Sequence, residues 1–216
     1  MENIKSINNN GVGHLKAKRR AQASKWFICA MRNFSEFSKP IAWDSQAMRD
    51  TLPTSTTQFC FEPVSPPSCP HGAFVYSKVV LLQSVGNNDP ERRLATATIT
   101  YNLALSLHIQ GLECSKSALL EKAAFMYRSA RSLLASAIPV GCSPSNPNLH
   151  LLALAIENNF GQLCFDLGDM ETTRKCFTSV RSVLHSYPRE YDVRDEQFFF
   201  ANIAVLERCC GAAAAA

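Results

Sequence analysis

Nine cysteines and five histidines are the residues whose chemistry must be tested first in this chain of 216. The cysteines stand at 29, 60, 69, 114, 142, 164, 176, 209 and 210, and no Cys-x-x-Cys pair occurs. Cys60, Cys69 and His71 come nearest to a metal pattern, but their gaps match no usual zinc module. The odd count and the scatter read as reduced thiols in core and loops, where a free Cys packs as a small hydrophobe. The pair Cys209-Cys210 could be acylated, yet no basic cluster adjoins it. The histidines at 14, 71, 108, 150 and 185 are equally dispersed. No P-loop, Gly-x-Gly-x-x-Gly, Gly-x-Ser-x-Gly or His-Glu-x-x-His occurs. Asp166, Asp169 and Glu171 sit at a turn, where capping and solvation account for them. No base, nucleophile or ligand set converges, so the reading is non-enzymatic, with no catalytic residue, metal or cofactor.

The polar chemistry that does recur is that of asparagine. The triplet Asn-apolar-small appears as Asn102-Leu103-Ala104, Asn159-Phe160-Gly161 and Asn202-Ile203-Ala204. An Asn amide carries two donors and an acceptor, so it can hold both main-chain groups of an extended peptide. It can equally brace a neighbouring helix, and the sequence leaves both roles open.

The elements that must carry these residues are helices. Asp89-Pro90-Glu91 reads as a helix start, with a capping carboxylate, Pro in the first turn and an acid favourable to the dipole. Leu94, Ala97, Tyr101 and Ala104 follow at helical spacing, and Gly111 is expected to end the run. Leu119, Ala123, Met126, Tyr127, Ala130, Leu133, Leu134 and Ala137 trace a second stripe. Asn146-Pro147 opens a third helix that ends at Gly168, and Asp169 caps a fourth, closing at Tyr187-Pro188. A fifth, very apolar helix runs from about Val193 to Cys210, and Gly211 with five alanines forms a tail over 211–216.

The N-terminal part has another texture. Six of the eleven prolines fall between residues 40 and 70, which forbids a long helix there. Residues 14–36 could form an irregular amphipathic helix. Thr57 to Phe61 and Phe74 to Leu82 are rich in β-formers and could form a hairpin with a long loop, or extended chain laid on a helical body. The division is therefore 1–88, basic and Pro/Ser-rich with the hairpin at 57–82, then 89–210, helical.

Features repeat in order. Seven residues after the small residue of the first two triplets stands a glycine, Gly111 and Gly168. Beyond each comes Ala123, Tyr127, Ala130 in one copy and Thr173, Phe177, Val180 in the other. This order resembles the tetratricopeptide repeat (TPR), in which small residues let two helices approach and large ones fill the gap between hairpins. The second copy keeps family spacing. The first carries about seven extra residues after Gly111, which read as two added turns in the second helix or its connection. Starts lie 57 and 43 residues apart, against a family period of about 34, so the repeats are degenerate. The phrasing from Tyr101 to Gly111, with Asn158-Asn159-Phe160-Gly161, is also similar to a group of uncharacterised TPR-like proteins of diatoms.

The resemblance implies a mainly α fold, a short α-solenoid of TPR-like hairpins behind an irregular N-terminal segment. It also implies an interaction or scaffold role, with a peptide or helix of another protein lying in a concave groove. By the family's pattern the groove residues are Tyr101, Asn102, Leu105 and His108, then Asn158, Asn159, Gln162 and Phe165. None is Lys or Arg, so an apolar or neutral ligand segment is expected. The alternative is a ligand-binding helical domain or enzyme with 57–82 as a lid.

Charge refines the partner class. Residues 1–50 carry nine Lys/Arg against four acids, while the rest is close to neutral. A neutral body argues against tracking along nucleic acid. No run of apolar residues is long enough to span a membrane, and no apolar core follows a charged start as in a secretion signal. The expected compartment is cytoplasmic or nuclear, with Lys16-Ala17-Lys18-Arg19-Arg20 as an import run or a solvated arm. A mitochondrial or plastid site follows instead if residues 13–37 are a transit segment.

Overall fold

The computed structural model describes residues 2–37, 57–69, 74–137, 147–187 and 192–214. Among them are helices α1 (Glu2–Lys16), α2 (Arg20–Phe37), α3 (Asp89–Glu113), α4 (Ser117–Ala137), α5 (Pro147–Asp166), α6 (Met170–Ser186) and α7 (Val193–Ala214). Strands β1 (Gln58–Pro63) and β2 (Lys78–Ser84) form an antiparallel pair. Across the described residues the protein is mainly helical, with one small two-stranded sheet. No described helix is long and apolar enough to cross a membrane.

Local chemistry sets the helix boundaries. Asn88, one residue before the expected carboxylate, caps α3 by accepting the Glu91 amide at 2.9 Å. Asp169 caps α6 by accepting the Thr172 amide at 3.0 Å. Three tight connections then reverse the chain, Ala17–Arg19, Cys114–Lys116 and Leu167–Asp169. The middle residue of each is left-handed: Lys18 at φ 59°, Ser115 at φ 50° and Gly168 at φ 83°. Each turn is closed by the same bond across five residues, Arg19 N–H to His14 O, Lys116 N–H to Gly111 O and Asp169 N–H to Cys164 O, at 2.8–2.9 Å. Such bonds satisfy carbonyls that a helix end leaves open.

These turns correct two expectations. Gly111 does not end α3, which continues to Glu113 and turns at Ser115. The extra residues of this pair are therefore divided, about one turn lengthening α3 and one lengthening α4. Whole turns leave each apolar stripe facing its partner, so Ala123, Tyr127 and Ala130 are buried just as Thr173, Phe177 and Val180 are. Gly161 lies where a Cβ would come within 2.7 Å of the Phe177 ring and 2.9 Å of the Cys176 Cβ.

The N-terminal segment is likewise corrected. Its residues 2–37 are neither irregular nor a solvated arm, but form a third hairpin of the same kind, α1 against α2. Gly11 approaches Phe27 so closely that a Cβ would lie 2.5 Å from the ring. Ala23, Phe27 and Ala30 are buried at the spacing of Thr173, Phe177 and Val180. The basic run is partly spent inside the fold. Arg20 is buried, its guanidinium donating to Leu15 O and Ser65 O and pairing with Glu113, while Lys16 pairs with Glu62.

Consecutive helices pack in chain order, α2 against α3 and α4 against α5 joining one hairpin to the next. The first helices do more. Almost every residue of α3 from Ala97 to Ser106 and of α5 from Leu154 to Cys164 is buried, because the hairpin β1–β2 covers the side that the other helices leave. Val79, Val80 and Leu82 join Ile4, Phe27, Tyr101, Phe160 and Phe199 in one hydrophobic cluster. The core is thus continuous across residue 88.

Candidate functional site

A buried strand between a partner strand and a helical wall poses an accounting problem. A strand's main-chain groups alternate between its two edges. On one edge β2 pairs with β1, in a register that sets Cys60 opposite Leu81 and Glu62 opposite Val79, and Val64 N–H donates to Ser77 O at 2.9 Å. The other edge faces helices, whose own main-chain groups are already bonded. Leaving buried amides and carbonyls unpaired would cost about 1–3 kcal/mol each.

Side chains solve it. Asn159 Oδ1 accepts the Tyr76 amide at 2.7 Å, and its Nδ2 donates to Tyr76 O at 3.2 Å. Asn102 does the same for Val80, at 2.9 and 2.7 Å. Asn9 does the same for Leu82, at 3.1 and 3.0 Å. Between these two-pronged grips the Tyr101 hydroxyl donates to Lys78 O at 2.8 Å. At the far end Asn158 and Asn202 both donate to Phe74 O, at 3.2 and 2.9 Å. Asn8 adds a second bond to Val80 O at 3.2 Å. The alternate residues 74, 76, 78, 80 and 82 are therefore all held, by α7, α5, α3 and α1 in turn.

The amides also order one another. Asn102 Nδ2 donates to Asn8 Oδ1 at 3.0 Å, Asn202 Nδ2 to Asn158 Oδ1 at 2.7 Å, and Asn158 Nδ2 to Asn159 Oδ1 at 3.1 Å. Asn8, Asn102, Asn158, Asn159 and Asn202 are all buried. A linked and satisfied network of this kind is rigid in a low-dielectric interior.

One end of the strand carries charge and aromatic rings. Lys78 Nζ lies 2.6 Å from Asp195 Oδ1, and the Asp195 side chain is only 6% exposed. The Tyr76 ring packs on Phe199 at 4.8 Å and on Phe198 at 5.5 Å between centroids. Burial first, then the nearby Asp195 charge, pushes the Tyr76 phenol well above its ordinary range, so it stays protonated.

Four of the eight residues expected in the groove, Tyr101, Asn102, Asn158 and Asn159, meet this strand. The other four point elsewhere. Leu105 is buried in the core and Phe165 packs against it. Gln162 Nε2 donates to Asp166 on its own helix at 3.3 Å. His108 is enclosed beside Tyr127, with the hydroxyl 3.4 Å from Nδ1, and burial lowers its pKa to about 3. Segment 57–82, weighed as a lid, contributes buried core residues.

Sequence reasoning missed Asn8, Asn9 and Asp195, and it noted Asn202 without placing it in the groove. A signal existed for the first pair. Asn9-Asn10-Gly11 repeats Asn159-Phe160-Gly161, and the aromatic follows sixteen residues after the glycine in both, at Phe27 and Phe177. Polar Asn10 in the apolar place, and Lys18 where the other copy has Gly168, concealed it. Nothing local to Asp195 marks it, since only the fold brings it to Lys78.

Among the described residues no three His, Cys, Asp or Glu side chains gather as a metal site. Comparison with protein-family models, curated proteins and solved structures gave no match to this chain.

Proposed function

We propose that this protein is a non-enzymatic interaction module, a short TPR-like α-solenoid whose inner face holds an extended segment of another protein by its main chain. In the resting state its own residues 74–82 occupy that place, and a partner segment exchanges for them. The observation that carries this reading is the set of two-pronged asparagine bonds to Tyr76, Val80 and Leu82. Such bonds read no side chain, so any chain with the right extension and free N–H groups can make them.

The test loosens the resident strand without touching a helix. Val80→Pro in the full chain deletes the N–H that Asn102 accepts and disfavours the ladder. A labelled peptide with the sequence of Phe74–Ser84 is then titrated into that variant and followed by fluorescence anisotropy. We expect saturable binding, lost when the peptide is N-methylated at the position of Tyr76, Val80 or Leu82. Absence of binding, or equal binding of the methylated peptides, refutes a main-chain-reading groove.

A further inference from the structure

Main-chain bonds give grip without selectivity, so what the groove prefers must be read from the side-chain surroundings of the strand. Residues 76, 78, 80 and 82 share one face of β2 and its N-terminal extension. The first two of them meet α7. Tyr76 sits among Phe61, Phe198 and Phe199. Lys78 Nζ lies 5.7 Å from the Tyr76 centroid, within cation–π range, as well as 2.6 Å from Asp195 Oδ1.

Asp195 is the unusual member. Its carboxylate stands in the first turn of α7, where the helix dipole favours an anion. It is nonetheless nearly closed off from water, and a buried charge that loses its counter-ion is strongly unfavourable. In the resting state the counter-ion arrives on the strand. A segment that replaced the strand without bringing a cation would leave this carboxylate unpaired. A segment with an acid there would add repulsion.

We propose that the groove selects partner segments carrying an aromatic residue and, two residues on, a lysine or arginine, because the buried Asp195 of α7 must be paired by whatever strand lies along the asparagines. The proposal rests on the exchange reading above and deepens it. The occupant is an extended segment of the pattern aromatic-x-(Lys/Arg)-x-(β-branched)-x-aliphatic, the last two positions matching the fully buried Val80 and Leu82. It also revises the neutral or apolar ligand expected from the sequence, because one cation is required.

The peptide with the sequence of Phe74–Ser84 is the probe, titrated into the full-length Val80→Pro variant. Replacing its lysine with norleucine, which keeps the stem and removes the charge, should weaken binding at least about tenfold. Glutamate there should abolish binding, and arginine should preserve it. In a chain that also carries Asp195→Lys, the preference should invert towards the glutamate peptide. Equal affinity of the lysine and norleucine peptides overturns the selectivity while leaving the exchange reading standing. Binding by none of the peptides overturns the exchange reading itself. Mixing the variant with the parent chain and measuring mass by sedimentation distinguishes another occupant, since a dimer that excludes the peptide would mean that a second copy supplies the strand. Should Val80→Pro not fold, the same pairing is read in the otherwise unaltered chain. Lys78→Glu and Asp195→Lys should each lower the melting temperature, and the double variant should recover most of the loss. Simple addition of the two losses overturns the proposal.

Discussion

Asn159 offers the sharpest test of what holds the strand to the helices. Its amide is fully buried and spans both main-chain groups of Tyr76 at 2.7 and 3.2 Å. Asn159→Ala leaves that N–H without its partner and that carbonyl with only a long contact, 3.5 Å, from the Tyr101 hydroxyl. The orphaned amide costs about 1–3 kcal/mol and the weakened carbonyl up to about as much again, so the loss is roughly 1–6 kcal/mol. The better helix propensity of Ala returns only a few tenths, up to about 0.7 kcal/mol. Against a total stability of about 5–15 kcal/mol, the melting temperature should fall by about 2–4 °C for each kcal/mol of net loss. The exposed Asn10, one helix away and off the strand, is the control, and Asn10→Ala should stay within about 0.5 kcal/mol of the parent. Asn159→Asp adds a pH signature. One oxygen still accepts the Tyr76 amide, but the other faces the Tyr76 carbonyl, so the carboxyl is favoured in its protonated form. Its folded pKa is then raised above the unfolded value, and the folded state binds more protons between the two. The stability of this variant should therefore fall as pH rises through that window. Urea melts followed by circular dichroism at several pH values measure both effects. If Asn159→Ala melts with the parent and Asn159→Asp shows no such pH response, the asparagine does not hold the strand.

Three further outcomes follow from the packing and from His108. Burial keeps His108 neutral down to about pH 3 while the unfolded residue takes a proton near pH 6.5, so stability should drain as pH falls across that window, by up to about 1.4 kcal/mol per pH unit. His108→Phe should remove this one-proton component from the acid limb of a melting-temperature profile, and an unchanged limb would show that the ring is solvated. Gly11→Ala drives a Cβ to 2.5 Å from the Phe27 ring and should destabilise by about 1–3 kcal/mol, with Phe27→Leu recovering part of it in a double-mutant cycle. An additive cycle would place the two residues apart. Lys18 holds a left-handed φ of 59° that glycine adopts freely, so Lys18→Gly should raise stability by up to about 1 kcal/mol, and a loss would mean that the lysine side chain supports the turn.

The α5–α6 hairpin was legible in the sequence because its signals are local. Gly168 supplies a left-handed turn, Asp169 a cap, and Gly161 with Phe177 a close approach, each within a few residues of the element it defines. The sheet was legible in composition, from β-formers on either side of a proline-rich loop. The asparagine triplets marked the inner helical face, since a polar residue recurring at one position of an apolar repeat has something there to bond.

The first hairpin hid for a physical reason. A left-handed turn can be made by lysine, and a strand-facing helix can carry Asn10 in the apolar place, when surrounding burial outweighs local preference. The long middle pair misled for the opposite reason: Gly111 looks like a helix end, but it is buried where a Cβ would meet Leu120 of α4, and α3 runs on to Glu113 before the chain turns at Ser115. What the asparagines bond was also beyond any local pattern. Asn102 is 22 residues from Val80, Asn159 is 83 from Tyr76 and Asn9 is 73 from Leu82. The donors and acceptors were written in the residue types, but only tertiary packing, which must pair every buried main-chain group, decided that this chain's own strand would satisfy them.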